Sequence, residues 1–300
     1  MFKNTNLQKA KDAKNDEFYT QLKDIEKEVE YYRDEFKDKV VFMNCDDPTK
    51  SNFWFFFKSK FNEWSIKKLV SIHLEKDRNS YKIEYDKDNG ETKTELIGNG
   101  DFRSEESIEE LKKSDIVVTN PPFSLFREFV NQLVEYDKKF IILGSQNAVK
   151  YKEIFPLMKD GLINTGHFVG SMTFEVPKEY ELMNKLNFRF DEDTNKAYQS
   201  LGNVIWFTNL KSSKEKEGIE LVRSFNEEEY PYYDNYDAIE VSRVKDIPYN
   251  FDGIMGVPIT FFNNYNKEQF EVIEKISDAK INGKTKYERI FIRKKNELHR

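Results

Sequence analysis

The segment DIVVTNPPF, residues 115–123, constrains this chain more than any other. Ile116 to Thr119 form a short, apolar, β-branched run, the pattern of a buried strand in a parallel sheet. Pro121 and Pro122 then stop the strand, because each fixes φ and lacks an N–H donor. Asn120 is thereby placed at the carboxyl end of a strand, the edge at which open α/β sheets bind ligands. At such a rigid corner the Asn side-chain oxygen and a backbone carbonyl offer two convergent acceptors. They match an exocyclic amino group, which carries two donors. With both hydrogens held, the nitrogen lone pair is left for an incoming methyl group. Phe123 adds a face for a planar base taken out of its stack. Asn120, Pro121, Pro122 and Phe123 are therefore the candidate catalytic residues. A plain proline turn after a strand is the alternative reading.

The pattern around this segment predicts an α/β fold. Apolar spacing predicts helices over 21–38, 51–61, 107–114 and 124–136, and a fifth over 148–159 until Pro156 disturbs it. Buried strands are expected at 40–44, 67–74, 115–120 and 139–144, with later strands in HFVGSMTFEVP and GNVIWFTNL. A hairpin over 81–97 turns at Asp88-Asn89-Gly90. The Phe53-Trp54-Phe55-Phe56-Phe57 run reads as core packing rather than a base-stacking platform. KSSKEKEG, at 211–218, reads as a linker, so two parts are expected, 1–212 and 213–300. In the second part, MGVPITFF and YERIFIRK read as strands and KEQFEVIEKI as a helix.

Methyl transfer needs a sulfonium donor, so a nucleoside site is expected upstream of Asn120. VVFMNCDDP runs from a strand into Asn44, Asp46, Asp47 and Pro48. Carboxylates there can bind ribose hydroxyls or an ammonium group, although the glycine-rich turn usual in such folds is missing; an acidic surface turn is the other reading. Asp101, after Gly98 and Gly100 and before Phe102, can accept from an adenine amino group or cap the next helix. Phe18-Tyr19-Thr20 can cover the methionine end of such a donor, or staple the helix that follows.

Composition excludes several classes. Asp and Glu outnumber Lys and Arg, 54 to 48, a net charge of −6 that does not suit a sequence-blind DNA coat. Basic residues do concentrate at the end of the chain, where residues 284–300 hold seven against two acidic ones. Cys45 is the single cysteine, so no intramolecular disulfide forms, and a reducing cytoplasm is expected. No apolar run is long enough for a membrane span. His73, His167 and His299 lie far apart and cannot build a typical zinc site with one cysteine, so no catalytic metal is expected.

Taken together, KNDEFYT, NCDDPTKSNF, GDFRS, VVTNPPF, SQNAVKYKEIFPL, WFTNL and GVPITFFNNYNKEQFE resemble the EcoRI-type adenine-specific DNA methyltransferases. The resemblance spans residues 14 to 294. It implies a class I methyltransferase fold: a Rossmann-like, mostly parallel sheet with helices on both faces, here with a smaller C-terminal α+β region. It implies S-adenosylmethionine as cofactor, held by Phe18, Tyr19, Thr20, Asn44, Asp46, Asp47, Pro48, Asp101 and Phe102. It implies double-stranded DNA as partner, a flipped adenine as acceptor, and a companion restriction endonuclease of the kind found in restriction-modification systems. Residues 213–300 would then read the target, with Arg243, Arg289 and Arg293 as candidates. No covalent intermediate is required, so Cys45 is expected to be replaceable. RNA, a protein glutamine, or a silent nucleic-acid-binding role on the same fold stay open at this point.

Overall fold

The structure, a computed structural model, describes residues 19–75, 79–177 and 187–295. The chain divides into two compact units. The first comprises Met1–Ser145 with Phe168–Ser213, and the second Gln146–His167 with Lys214–Arg300. The sequence-based division assigned residues 146–167 to the catalytic part, whereas here they group with the C-terminal residues.

In the first unit the strands are β1 (Tyr19–Thr20), β2 (Val40–Met43), β3 (Lys68–Ile72), β4 (Tyr81–Asp86), β5 (Gly90–Glu95), β6 (Ile116–Thr119), β7 (Lys139–Ser145), β8 (Met172–Val176), β9 (Phe188–Asp191), β10 (Lys196–Leu201) and β11 (Val204–Thr208). The large sheet has the order β5-β4-β3-β2-β6-β7-β11 within this unit. Strands β3, β2, β6 and β7 are mutually parallel, while β4, β5 and β11 join antiparallel. Parallel pairing is thus confined to the centre, where the runs are continuously apolar. All four residues of β6 are buried, as a strand flanked on both sides requires.

Among the described residues four helices belong to this unit: α1 (Leu22–Val29), α2 (Asn52–Lys60), α3 (Glu105–Lys113) and α4 (Phe126–Glu135). A 3-10 segment, Glu30–Phe36, continues α1 through the rest of the expected helix. Phe53, Trp54, Phe56 and Phe57 of α2 are buried. Phe57 meets Phe36 at 4.9 Å and Phe53 meets Trp206 edge-on at 5.9 Å. Four of the five rings in the run are therefore core, Phe55 being exposed, and each fully buried ring contributes about 1.5–3 kcal/mol. A smaller antiparallel sheet, β1-β8-β10-β9, places Met172, Phe174 and Ala197 in the same core.

The second unit is built mainly of strands. Ala238–Glu240 pairs parallel with Ile254–Val257, which pairs antiparallel with Arg289–Lys294, and that strand pairs antiparallel with Phe270–Ile276. KEQFEVIEKI, expected as a helix, supplies the last of these strands. A bulge between Val272 and Glu274 interrupts its alternation. Ile254–Val257 gives way to a 3-10 turn, Ile259–Asn264, so the MGVPITFF strand is shorter than expected. The expected helix at 148–159 is also different. Gln146–Lys150 is a 3-10 turn, and Pro156 lies in the first turn of an α-helix, Phe155–Lys159, rather than ending one. Among the described residues no helix is long and apolar enough to cross a membrane.

Candidate active site

Because β2, β3 and β6 run parallel, their carboxyl ends share one edge of the sheet. Asn44 follows β2, His73 follows β3 and Asn120 follows β6. The edge is assembled around Asp46, which is buried. One Asp46 carboxylate oxygen accepts from Ser51 Oγ at 2.7 Å, and the other accepts from the hydroxyl of Thr119, the last residue of β6. The Asn120 N–H also donates to this carboxylate. The Asp46 carbonyl meanwhile accepts from Ser71 Oγ of β3 at 2.7 Å. The turn after β2 is thus tied to the strands on either side of it. Burial pushes the Asp46 carboxyl up to about 6, held from rising further by the hydrogen bonds of Thr119, Ser51 and Asn120.

Ser51 has a second role, since its Oγ accepts from Phe53 N at 3.2 Å and caps α2. Asp47 organises the turn that leads there. It accepts from Thr49 N at 2.9 Å and Thr49 Oγ1 at 2.7 Å. Burial alone would raise its carboxyl. The Thr49 bonds, with His73 and Lys50 nearby, bring it below the ordinary range instead. Tyr81, at the start of β4, approaches the same Asp47 oxygen at 3.4 Å and packs edge-on to His73 with centroids 4.8 Å apart.

Asn120 is half-buried, Pro121 is buried, and Phe123 is half-buried against the core at the start of a 3-10 turn, Phe123–Leu125. The Pro122 carbonyl is engaged by Leu125 N at 2.9 Å.

The loop carrying Asp101 packs beside the end of β3. Gly100 has φ +78, and a Cβ there would lie 2.2 Å from the His73 carbonyl, so only glycine fits. Asp101 is gripped by Arg103, from Nε at 2.8 Å and Nη2 at 2.7 Å, and this pairing holds its carboxyl below the ordinary range. Phe102 is buried edge-on against Phe129 at 5.2 Å, packed in the core rather than standing at the edge. Tyr19 and Thr20 form β1, and Asn52 at the start of α2 donates to the Thr20 carbonyl at 2.8 Å. Phe18 lies outside the described residues.

Two buried polar atoms beside this turn, Thr20 Oγ1 and Asn44 Nδ2, have no hydrogen-bond partner among the described residues. A buried donor or acceptor in that state is costly, and a polar ligand would satisfy it. The residues present therefore fit a polar nucleoside-type group at the end of β2. Cys45 stands among them, its thiol pushed well up by burial with Asp46 beside it, and a neutral thiol is a poor nucleophile. Among the described residues no group of three His, Cys, Asp or Glu side chains is placed to hold a metal ion.

Spacing along the chain pointed to Asn44, Asp46, Asp47 and Asn120. It did not single out Ser51, Ser71, Thr119 or Tyr81. The one available signal was Thr119, a polar residue in an otherwise apolar strand beside Asn120.

In the second unit Arg289 is not available for base reading. It forms a bidentate pair with Glu240, with Nη2 to Oε1 at 2.5 Å and Nε to Oε2 at 3.0 Å, and Glu240 is buried. Arg243 is exposed and paired with Asp246 at 2.6 Å, and Arg293 is half-exposed near Glu271.

Among known proteins, the chain matches the family model described as adenine-specific methyltransferase EcoRI over residues 6–299. It is 46% identical over 315 aligned residues to the type II methyltransferase M.EcoRI of Escherichia coli, covering 96% of each chain. It is 45% identical over 271 residues to the type II methyltransferase M.MpnI of Mycoplasma pneumoniae, covering 89% of this chain and 84% of that one. A third relative, M.MgeORF184P of Mycoplasma genitalium, is 39% identical over 310 residues, covering 95% of this chain and 98% of that one. No solved structure matches the chain.

Proposed function

The chain belongs to the EcoRI family of adenine-specific methyltransferases, and from that premise we propose that it methylates the N6 amino group of a flipped adenine in double-stranded DNA at the Asn120 corner. The observation that carries the assignment of the corner is the tie of Thr119 and Asn120 to Asp46, which joins the acceptor strand to the turn after β2. The fold reading that accompanies it is the class I methyltransferase arrangement, supported by the parallel centre of the sheet and the residues gathered at its carboxyl edge.

S-adenosylmethionine, when bound, supplies the methyl group as a sulfonium. Asn44 and Thr20 would hold it with their unsatisfied polar atoms, and Asp47, Tyr19 and Asp101 would line the same pocket. Asp46 has another task. With Ser51 and Thr119 on its oxygens it fixes the corner instead of contacting the cofactor.

Asn120 Oδ1 and the Pro121 carbonyl accept the two amino hydrogens of the adenine, leaving the nitrogen lone pair as its free face. Phe123 stacks on the base. Extruding the base costs a few kcal/mol, which contacts in the pocket offset. The rate gain comes from positioning and from replacing water around the nitrogen by fixed dipoles. Residues 214–300 would contribute target reading, and in the manner of type II systems a companion endonuclease would cut the unmethylated site.

Incubation with labelled S-adenosylmethionine and separate DNA, RNA and protein pools tests this. Label in DNA, recovered as N6-methyladenine, is expected. Label confined to RNA or protein would overturn it.

A further inference from the structure

One face of the small sheet β1-β8-β10-β9 is core, with Phe174, Met172, Ala197 and Gln199 buried. The opposite face carries a different chemistry. Ser200 lies opposite Thr173, and Arg189 opposite Tyr198, while Tyr198 and Ser200 alternate along β10. These four side chains therefore project from the same face. Together with Gln21 and Lys23 at the start of α1 they line a cavity of about 400 Å³.

The lining is rich in donors. Arg189 stacks on Tyr198, with its guanidinium 5.2 Å from the ring centroid, which holds the planar fork in place. Thr173 and Ser200 hydroxyls are 2.9 Å apart, so one of the two hydrogens remains to be donated outward. The carboxylates of this sheet are already engaged. Glu175, opposite Tyr198, is held by Lys196 at 2.7 Å, and Asp191 caps its own turn through Asp193 N and Thr194 N. Among the described residues neither Lys23 nor Arg189 forms an ion pair.

Among the described residues the lining joins two cations, hydroxyls and an amide with no free carboxylate, which selects an acceptor-rich anion. A free metabolite anion would not need an open strand face, whereas a polymer backbone would. Tyr19 of β1 lies opposite Glu175 and so shares this face of the sheet, whereas Thr20 lies opposite Phe174 and points to the core face. We propose that the cavity of Gln21, Lys23, Thr173, Arg189, Tyr198 and Ser200 is a phosphodiester clamp for the DNA strand that delivers the flipped base. This rests on the DNA reading above. Lys23 and Arg189 neutralise backbone phosphate, and the hydroxyls fix its register, without reading sequence.

The test measures binding of a 30-base-pair duplex by fluorescence anisotropy across a salt series, for wild type, Lys23→Ala, Arg189→Ala and Arg189→Lys, with calorimetric titration of S-adenosylmethionine alongside. Each alanine variant is expected to lower the slope of log K against log salt by about 0.9. Weaker DNA binding, unchanged cofactor affinity and a slope restored in Arg189→Lys complete the expected pattern. Wild-type slope and affinity in both alanine variants would overturn the clamp while leaving the DNA reading intact. A wild-type protein that neither binds nor methylates DNA would overturn both.

Discussion

Replacing Asp46 by Asn keeps the shape of the side chain and removes its charge. In the native protein one oxygen accepts from Ser51 at 2.7 Å, and the Thr119 hydroxyl and Asn120 N–H also donate to the carboxylate. An amide has one acceptor oxygen and two N–H donors, so at least one of these bonds is lost or must reverse. Loss of a hydrogen bond to a charged group costs about 1.5–3 kcal/mol. Against this, burial raises the Asp46 pKa from 3.8 to about 6, so its ionisation in the folded protein is disfavoured by about 3 kcal/mol. The neutral amide escapes that penalty. That penalty is already net of these bonds, so the melting temperature of Asp46→Asn should not fall by more than a few degrees below wild type. The position of Asn120 has no such compensation. A displacement of 1 Å in a reacting group costs about a hundredfold in rate. Single-turnover methyl transfer should therefore fall by about 10- to 100-fold, with the calorimetric Kd for S-adenosylmethionine changed by less than about threefold. A Kd weakened more than about tenfold with an unchanged transfer rate would refute the strut and make Asp46 a cofactor ligand. The pH dependence has a definite sign. The folded pKa is raised, so the folded state binds this proton more tightly, and the Asp46 contribution to stability grows as pH falls from about 6 towards 4. Asp46→Asn should lack that growth in a melting series.

Two further substitutions are expected to act on stability. Arg289→Ala leaves Glu240 as a buried, poorly compensated charge and should cost about 3–5 kcal/mol in urea unfolding, with part recovered when Glu240→Gln is added; a native-like midpoint with altered target choice would instead return Arg289 to base reading. Gly100→Ala forces a Cβ against the His73 carbonyl at φ +78 and should destabilise by about 1–3 kcal/mol, read as a lower melting temperature.

The elements of the large sheet were legible because its central strands are short apolar runs ending at polar residues. Asn120 and Asp46 could be placed at a strand edge for that reason. What escaped has physical causes. In KEQFEVIEKI the bulge between Val272 and Glu274 shifts the alternation by one residue. Phe270, Ile273 and Ile276 are consequently spaced like a helix face. Pro156 reads as a breaker, but in the first helical turn its missing N–H has no cost. The Asp46–Thr119 bond joins residues 73 positions apart, and Arg289 finds Glu240 across 49 positions. Sequence spacing carries no information on such pairs. Phe102 illustrates the same limit, since an aromatic beside a candidate ligand stacks on a base or fills the core depending on what α4 presents, and here Phe129 takes it.

The central claim is that Asn120 holds the amino group that receives the methyl. Asn120→Ala, assayed for labelled methyl transfer to DNA beside a calorimetric titration of S-adenosylmethionine, tests it most directly. Loss of transfer by at least about a hundredfold with cofactor affinity retained is the predicted result. Transfer at the wild-type rate in a variant that binds the cofactor normally would contradict the account.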